Sequence, residues 1–290
     1  MDEFGLVAET GVSHIAASRL EFQAARPLAK LGSLEVRLAR DDAEIEAAQE
    51  VRYKVFCEEL GAVAPASNTT LKRDADRFDE ICDHLIVYDN DLPGPDYRRV
   101  VGTYRLLRQE RAALGGGFYS AAEFELEGLI NRNPGLRFME LGRSCVLPPY
   151  RSKRTIEALW QAIWAYVKEH EVDVMAGCAS FHGVAPAAHA QALSFLAQNC
   201  TANENWAIRA VPSRYQTMDL TPREAVDAKE ALKQMPPLVK GYLKLGARFG
   251  DGCVIDEEFR TVDVFVVLPV AWIAQRYINY YGADAQSLVA

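Results

Sequence analysis

The chain has 290 residues, 49% apolar and 25% charged, enough to bury a full core as one large domain or a domain with extensions. Its net charge of −8 argues against a general nucleic-acid binder, so an acidic partner has to be met by a local basic patch. The six cysteines, at positions 57, 82, 145, 178, 200 and 253, include no C-x-x-C pair and no metal-ligand spacing. Free thiols in apolar runs act as small core residues and suit a reducing cytoplasm.

Residues 1–33 read as a weakly ordered extension, in which Ile15, Leu20 and Phe22 let part pack as a helix. The acidic start lacks the basic and apolar regions of a signal peptide. Leu34, Val36 and Leu38 alternate as a first strand. Asp41 or Asp42 then caps a helix through Leu60, with Ile45, Ala48, Val51 and Val55 on one face and Gly61 ending it. Residues 62–77 read as a loop, and His84–Tyr88 and Val100–Leu107 as strands around a Pro93-Gly94-Pro95 turn. Ile156, Leu159, Trp160, Ile163, Trp164 and Val167 form a wide apolar helical stripe. Val172–Ala179 reads as a buried strand, and Pro186 opens the next helix. Residues 174–203 contain no Asp, Glu, Lys or Arg, but Gly177, Gly183 and Pro186 break them, so membrane contact is expected to be peripheral at most. Ala207–Val211 and Val262–Leu268 read as strands around a basic, glycine-punctuated segment. The order predicts an α/β (α+β) domain over 34–275, a mixed sheet with helices on both faces, followed by a tail over 276–290.

The run from Met139 to Thr155 is the most informative. Glu140 and Arg143 sit inside an apolar strand, where charges are costly unless paired or used. Strict alternation would put them on opposite faces, and a bulge at Gly142 would bring them together. Glu140 then suits a general base and Arg143 an anchor for a carboxylate, while a structural ion pair explains them equally well. In the turn from Tyr150 to Thr155, Ser152 caps the helix, and the free N–H groups with Lys153 and Arg154 favour an anion, although exposed basic turns are common. Asp79 and Asp83 are candidates for a substrate ammonium, with an ordinary surface role the favoured alternative for Asp83 on its own, and Arg105 needs a buried acidic partner. Gly115-Gly116-Gly117 lacks the ending of a P-loop, and His182 and His189 have no zinc spacing. Ser144 and Cys145 sit near no triad-like histidine.

The blocks VRYKVFCEELG (51–61), FDEICDHLIVYD (78–89), VVGTYRLL (100–107), GGFYSAAEFEL (116–126), MELGRSCVLPPYR (139–151), GCASFHG (177–183) and MPPLVKGYLKLGARFG (235–250) resemble the ornithine N-acyltransferases of ornithine-lipid synthesis. That family belongs to the GNAT-like acyltransferases and is similar to the acyl-homoserine lactone synthases. The resemblance covers roughly residues 45–270. It implies a GNAT-like twisted sheet in which Phe138–Leu147 and Val172–Ala179 run parallel and splay to admit a pantetheine arm. It also implies transfer of a 3-hydroxyacyl group from acyl carrier protein to the α-amine of ornithine, giving a lyso-lipid, with no resident cofactor and no metal. Glutamine or glycine as acceptor, or lactone synthesis, are the alternatives. On this pattern Glu140, Arg143 and a backbone N–H near Gly142–Ser144 are catalytic. Arg52, Phe56, Asp79 and Arg105 bind the acceptor, and Arg151, Ser152, Lys153, Arg154 and Thr155 hold the donor phosphate. The turn lacks the glycines of R-x-x-G-x-G/A, which suits a carrier-protein donor over coenzyme A. The helix from Pro186 to Gln198 has no tyrosine to protonate a leaving thiolate. Ala62 replaces the tryptophan of the lactone synthases.

Overall fold

The computed structural model describes residues 27–274, 276 and 277. The helix expected around residues 15–22 and most of the 276–290 tail lie outside them. In chain order the elements are β1 (Ala29–Leu31), β2 (Leu34–Leu38), α1 (Asp42–Tyr53), α2 (Ala66–Leu71), β3 (Asp83–Asp89) and β4 (Val100–Arg108). There follow α3 (Gln109–Leu114), α4 (Leu126–Arg132), β5 (Phe138–Val146), α5 (Lys153–Glu169), β6 (Val174–His182) and α6 (Ala190–Asn199). The chain continues through α7 (Ala228–Gln234), α8 (Pro237–Leu245), β7 (Arg248–Asp256) and β8 (Thr261–Pro269). The strands form one sheet in the order β1-β2-β3-β4-β5-β6-β8-β7. Neighbours are antiparallel except β5 and β6.

Strand alternation gives the sheet two different faces. Met139, Leu141, Met175, Ala179, Val264 and Val266 point to one, where Trp160, Ile163 and Val167 of α5, Leu193 and Leu196 of α6, and Val239 and Leu245 of α8 cover them. The α5 stripe works as expected except at Ile156, which is exposed in the first turn. Asp41 caps α1 by accepting from the Glu44 N–H, and Ala48 and Val51 press onto Ile86 on the other face. Phe118, Phe124, Leu126 and Leu129 cover the same face nearer β7 and β8.

Several local expectations change. The sheet begins at Ala29, inside the segment read as an extension. Residues 62–77 are not simply a loop. Helix α2 forms there with Thr69 and Thr70 hydroxyls bonded back to Pro65 and Ala66, a polar helix that leaves no apolar period to detect. The helix from Asp42 runs on as a π-helix over Lys54–Glu59. Ala207–Val211 makes isolated bridges rather than a strand. Its N–H groups divide between the Asp251 carbonyl and the Glu123 carbonyl, so no ladder develops. The basic segment before β8 holds α7, α8 and β7.

Between Phe138 and Glu140, β5 pairs with β6 opposite Val174 to Ala176, and among the described residues the ladder ends there. Beyond it β5 stays with β4 and β6 with β8, so the parallel pair parts in the way the resemblance implies. Gly177 sits where they part, at φ +146°, and a Cβ there would lie 2.5 Å from the Leu141 carbonyl oxygen. Glycine alone fits this approach.

Candidate active site

The β3 to β8 register places His84, Arg105, Glu140, Cys178, Ser180 and Asp263 on one face of the sheet. A cavity of about 260 Å³ opens beside them, lined by Arg105, Glu140, Arg143, Cys178 and Asp263. Tyr104, Leu141, Ser144 and Leu238 also line it. Tyr104 and Leu141 belong to the opposite face, so the cavity crosses the sheet at the gap between β5 and β6.

Arg143 reaches this cavity through a bulge. The bulge falls at Arg143, not at Gly142 as expected: the β4–β5 register shifts between Thr103 and Arg105, and Arg143 takes φ +49°. A non-glycine residue in this region costs about 1–2 kcal/mol, which its contacts offset. Its guanidinium stacks on Tyr119 at 4.6 Å and Phe259 at 4.1 Å, and pairs with Asp74 and Asp76, each at 3.3 Å. Phe56 lines the same wall and meets Phe259 edge to face at 5.7 Å.

Arg52 and Asp79 are placed differently from expectation. Arg52 is fully buried and donates to both Asp79 oxygens at 2.8 Å, besides binding the Asp74 carboxylate at 3.0 Å. Asp79 also accepts from Gln49, from Arg105 at 3.1 Å and from the Asp76 N–H, closing a capping box over Arg77–Glu80. Burial alone would raise the Asp79 carboxyl, but Arg52 and Arg105 outweigh it and hold it well below the ordinary range. Neither residue lines the cavity. They brace it, and Arg105, which lines it, bonds Asp79 directly and Asp76 at 2.5 Å.

Glu140 is buried, and its two oxygens accept the N–H groups of Tyr119 and Ser120, each at 2.8 Å. Burial pushes its carboxyl up, against those N–H groups and Arg105. Further along the face is a second acidic group. Glu123, Cys178 and Asp263 bring their polar atoms within 4.8 Å of one another, with Asp256 also on the cavity wall. Burial first, then Asp263, raises the Glu123 carboxyl to about 7, although Arg214 lies 3.1 Å away. Burial also raises Asp263, and Asp256 adds to it. The trio could present ligands to a cation, but the adjacent Arg214 and a Cys178 thiol held protonated by burial fit a divalent metal poorly.

On the other side of the gap, Tyr104 and Tyr242 share a hydrogen bond of 2.8 Å, and Ser144 lies beside Tyr104. The basic turn lies outside the cavity lining. Ser152 caps α5 by accepting the Thr155 N–H at 3.3 Å, while the Thr155 hydroxyl is spent on the Tyr150 carbonyl. Arg151 pairs bidentately with Glu59 at 2.6 Å, and the Arg154 guanidinium packs over Gly32. Lys153 is exposed at the helix start.

Comparison with known proteins decides the family. Over 262 residues the chain is 59% identical to an L-ornithine N(alpha)-acyltransferase of Brucella abortus (strain 2308), covering 90% of this chain and 93% of the relative. A second relative of that name, from Rhizobium meliloti (strain 1021), is 54% identical over 98% of this chain and 96% of its own. The chain belongs to the L-ornithine N(alpha)-acyltransferase family. Residues 51–161 match the acetyltransferase (GNAT) domain model. Among solved structures, an N-acyl amino acid synthase from uncultured soil microbes aligns at 12% identity with a TM-score of 0.45, over 82% of this chain and 92% of its own.

For this L-ornithine N(alpha)-acyltransferase family member, the polar and aromatic cavity residues not singled out from sequence include Tyr104, Tyr119, Asp256, Phe259 and Asp263. Asp263 carried a usable signal. It interrupts the apolar run Val262–Leu268 as Glu140 interrupts its own strand. Glu123 and Phe259 carried none, because loops deliver them.

Proposed function

We propose that the protein transfers an acyl group from a thioester donor to the α-amine of L-ornithine, with a 3-hydroxyacyl-acyl carrier protein as donor and a lyso-ornithine lipid as product. The observation that carries this reading is the 59% identity over 90% of the chain to an L-ornithine N(alpha)-acyltransferase. The cavity supports it with a cationic wall at Arg105 and Arg143, a carboxylate at Glu140 and an opening between β5 and β6.

The acceptor carboxylate sits against Arg143, whose stacking on Tyr119 and Phe259 fixes its plane for bidentate pairing. The α-ammonium loses its proton to Glu140, directly or through one water, and the raised carboxyl makes Glu140 the better base. The amine attacks the thioester carbonyl, whose developing charge is met by a backbone N–H at the Arg143–Ser144 bulge. Tyr104, kept protonated by burial, gives its proton to the leaving thiolate. The pantetheine arm lies in the gap, along backbone groups that β5 and β6 do not share with each other. The helix start at Ser152 and Lys153 faces the carrier's phosphate.

The test is a reaction of the purified protein with ornithine and either 3-hydroxyacyl-carrier protein or the matching coenzyme A ester, read by mass spectrometry. An N-acyl-ornithine product formed faster from the carrier protein is expected. Product only from S-adenosylmethionine, as a lactone, would overturn the acceptor. Faster turnover of the coenzyme A ester would overturn the donor. Within the site, Glu140→Gln is expected to lower kcat at least tenfold in a folded protein. Unchanged turnover removes Glu140 as the base.

A further inference from the structure

We infer that Asp263, backed by Glu123 and Asp256, is the subsite that reads the side-chain ammonium of a diamino-acid acceptor, the group that separates ornithine from norvaline. The inference rests on the acceptor reading above and adds the residues that recognise the second amine.

Asp263 lies in the middle of β8, opposite Ser180, on the same sheet face as Glu140. It is 5% exposed and lines the cavity, yet its Oδ1 has no hydrogen-bond partner among the described residues. A buried carboxylate oxygen left unpaired is costly in the free protein, and a ligand with N–H donors removes that cost. The neighbouring acids shape the chemistry of that ligand. Glu123 and Cys178 place polar atoms within 4.8 Å of the Asp263 carboxylate, and Asp256 stands on the same face two rungs along. Arg214 already balances Glu123, which leaves Asp263 to meet a single positive charge. Burial of Asp263 and Glu123, which raises both carboxyls, is relieved when a cation arrives.

The subsite also completes a pattern across the cavity. Arg105 and Arg143 form one wall, Glu140 follows, and the Asp263 group closes the acidic side. An amino acid with a carboxylate, an α-amine and a second ammonium matches these charges in order. An acceptor with an apolar side chain leaves the Asp263 Oδ1 without a donor, and a site built around a polar contact rejects analogues that lack it far more strongly than an apolar pocket does.

The experiment compares kcat/KM for ornithine and norvaline with one acyl donor, using the full chain and Asp263→Asn, together with the melting temperature of each protein without acceptor. Wild type is expected to favour ornithine. In Asp263→Asn the ornithine-over-norvaline ratio falls at least about tenfold, mainly through the ornithine KM, while the melting temperature holds or rises because a buried carboxylate with one oxygen lacking a donor is gone. Asp256→Asn gives a smaller fall in the same ratio and serves as the test if Asp263→Asn does not fold. An unchanged ratio in a folded Asp263→Asn overturns the inference. So does a lower melting temperature with equal losses for both acceptors, which marks a structural role. Zinc that stabilises wild type but not Asp263→Asn, with the ratio unchanged, makes the group a metal site instead. Ornithine acylation without preference over norvaline overturns the subsite and leaves the proposed function standing, whereas failure to acylate either acceptor overturns the function itself.

Discussion

Asp74, Asp76 and Asp79 face Arg52, Arg105 and Arg143 in one continuous network, so removing one partner strands a buried charge. Asp79→Asn is therefore expected to destabilise the fold by about 3–5 kcal/mol, read as a lower melting temperature. In the fraction that folds, ornithine selectivity should persist, because Asp79 is outside the cavity; a selective loss of ornithine preference would restore the acceptor role expected from sequence. His84, fully buried beside Asp79, supplies a pH dependence. Burial lowers its pKa from 6.5 to about 4, so the unfolded chain takes up a proton first as pH falls. Its contribution to stability is complete above about pH 6.5 and declines by on the order of 3 kcal/mol towards pH 4. Denaturation midpoints measured across that window should fall with pH in wild type and flatten in His84→Gln. The need of Arg105 for a buried acidic partner was legible, because a guanidinium in an apolar strand demands one. That the partner acids are Asp76 and Asp79 was not, since 26 residues or more separate them in sequence from Arg105.

At the scale of elements, the parting of β5 and β6 rests on one small residue. Gly177→Ala would press a Cβ against the Leu141 carbonyl from a backbone conformation that L residues avoid. A loss of about 1–3 kcal/mol in denaturant unfolding is expected, with slower turnover because the gap shifts. An alanine variant with wild-type stability and rate would show that the close approach is dispensable. The two strands and helix α5 were readable from apolar runs and 3.6-residue spacing. The bulge position was not. Gly142 looked like the flexible residue, but the left-handed conformation goes to Arg143, where stacking on two rings and two carboxylates repays the strain. Helices α2 and α7 were missed for a different reason. Asp227 caps α7 through the Lys229 and Glu230 N–H groups, α2 starts after Pro65 with no side-chain cap, and little periodic apolar surface announces either helix.

For the whole molecule, a net charge of −8 opposes an acidic carrier protein at long range, so docking depends on local cations. The structure narrows these. Arg151 is held by Glu59 and Arg154 lies over Gly32, while Lys153 stands exposed at the start of α5. Lys153→Glu should raise the KM for the carrier-bound donor and leave the ornithine KM nearly unchanged, with the difference shrinking as salt is added. Steady-state kinetics at two ionic strengths would check this. An equal effect on a minimal phosphopantetheine thioester would confine the Lys153 contact to the arm's phosphate, whereas a larger effect on the carrier-bound donor adds a contact with the carrier surface.

The elements that bury an apolar face, their succession along the chain and the family were all legible in the residues, because periodicity and contiguous motifs are local properties of the chain. The sequence also marked Glu140, Arg143 and Arg105 as exceptional, since each interrupts an apolar run. Which of the marked residues share a cavity depended on the folded sheet. Register carried Asp263 to the same face as Glu140. A bulge turned Arg143 towards that face, and a closed ion network withdrew Arg52 and Asp79 from it. Strand alternation can be read along one segment, but register between segments depends on the ladders and packing of the whole sheet, which no single segment encodes.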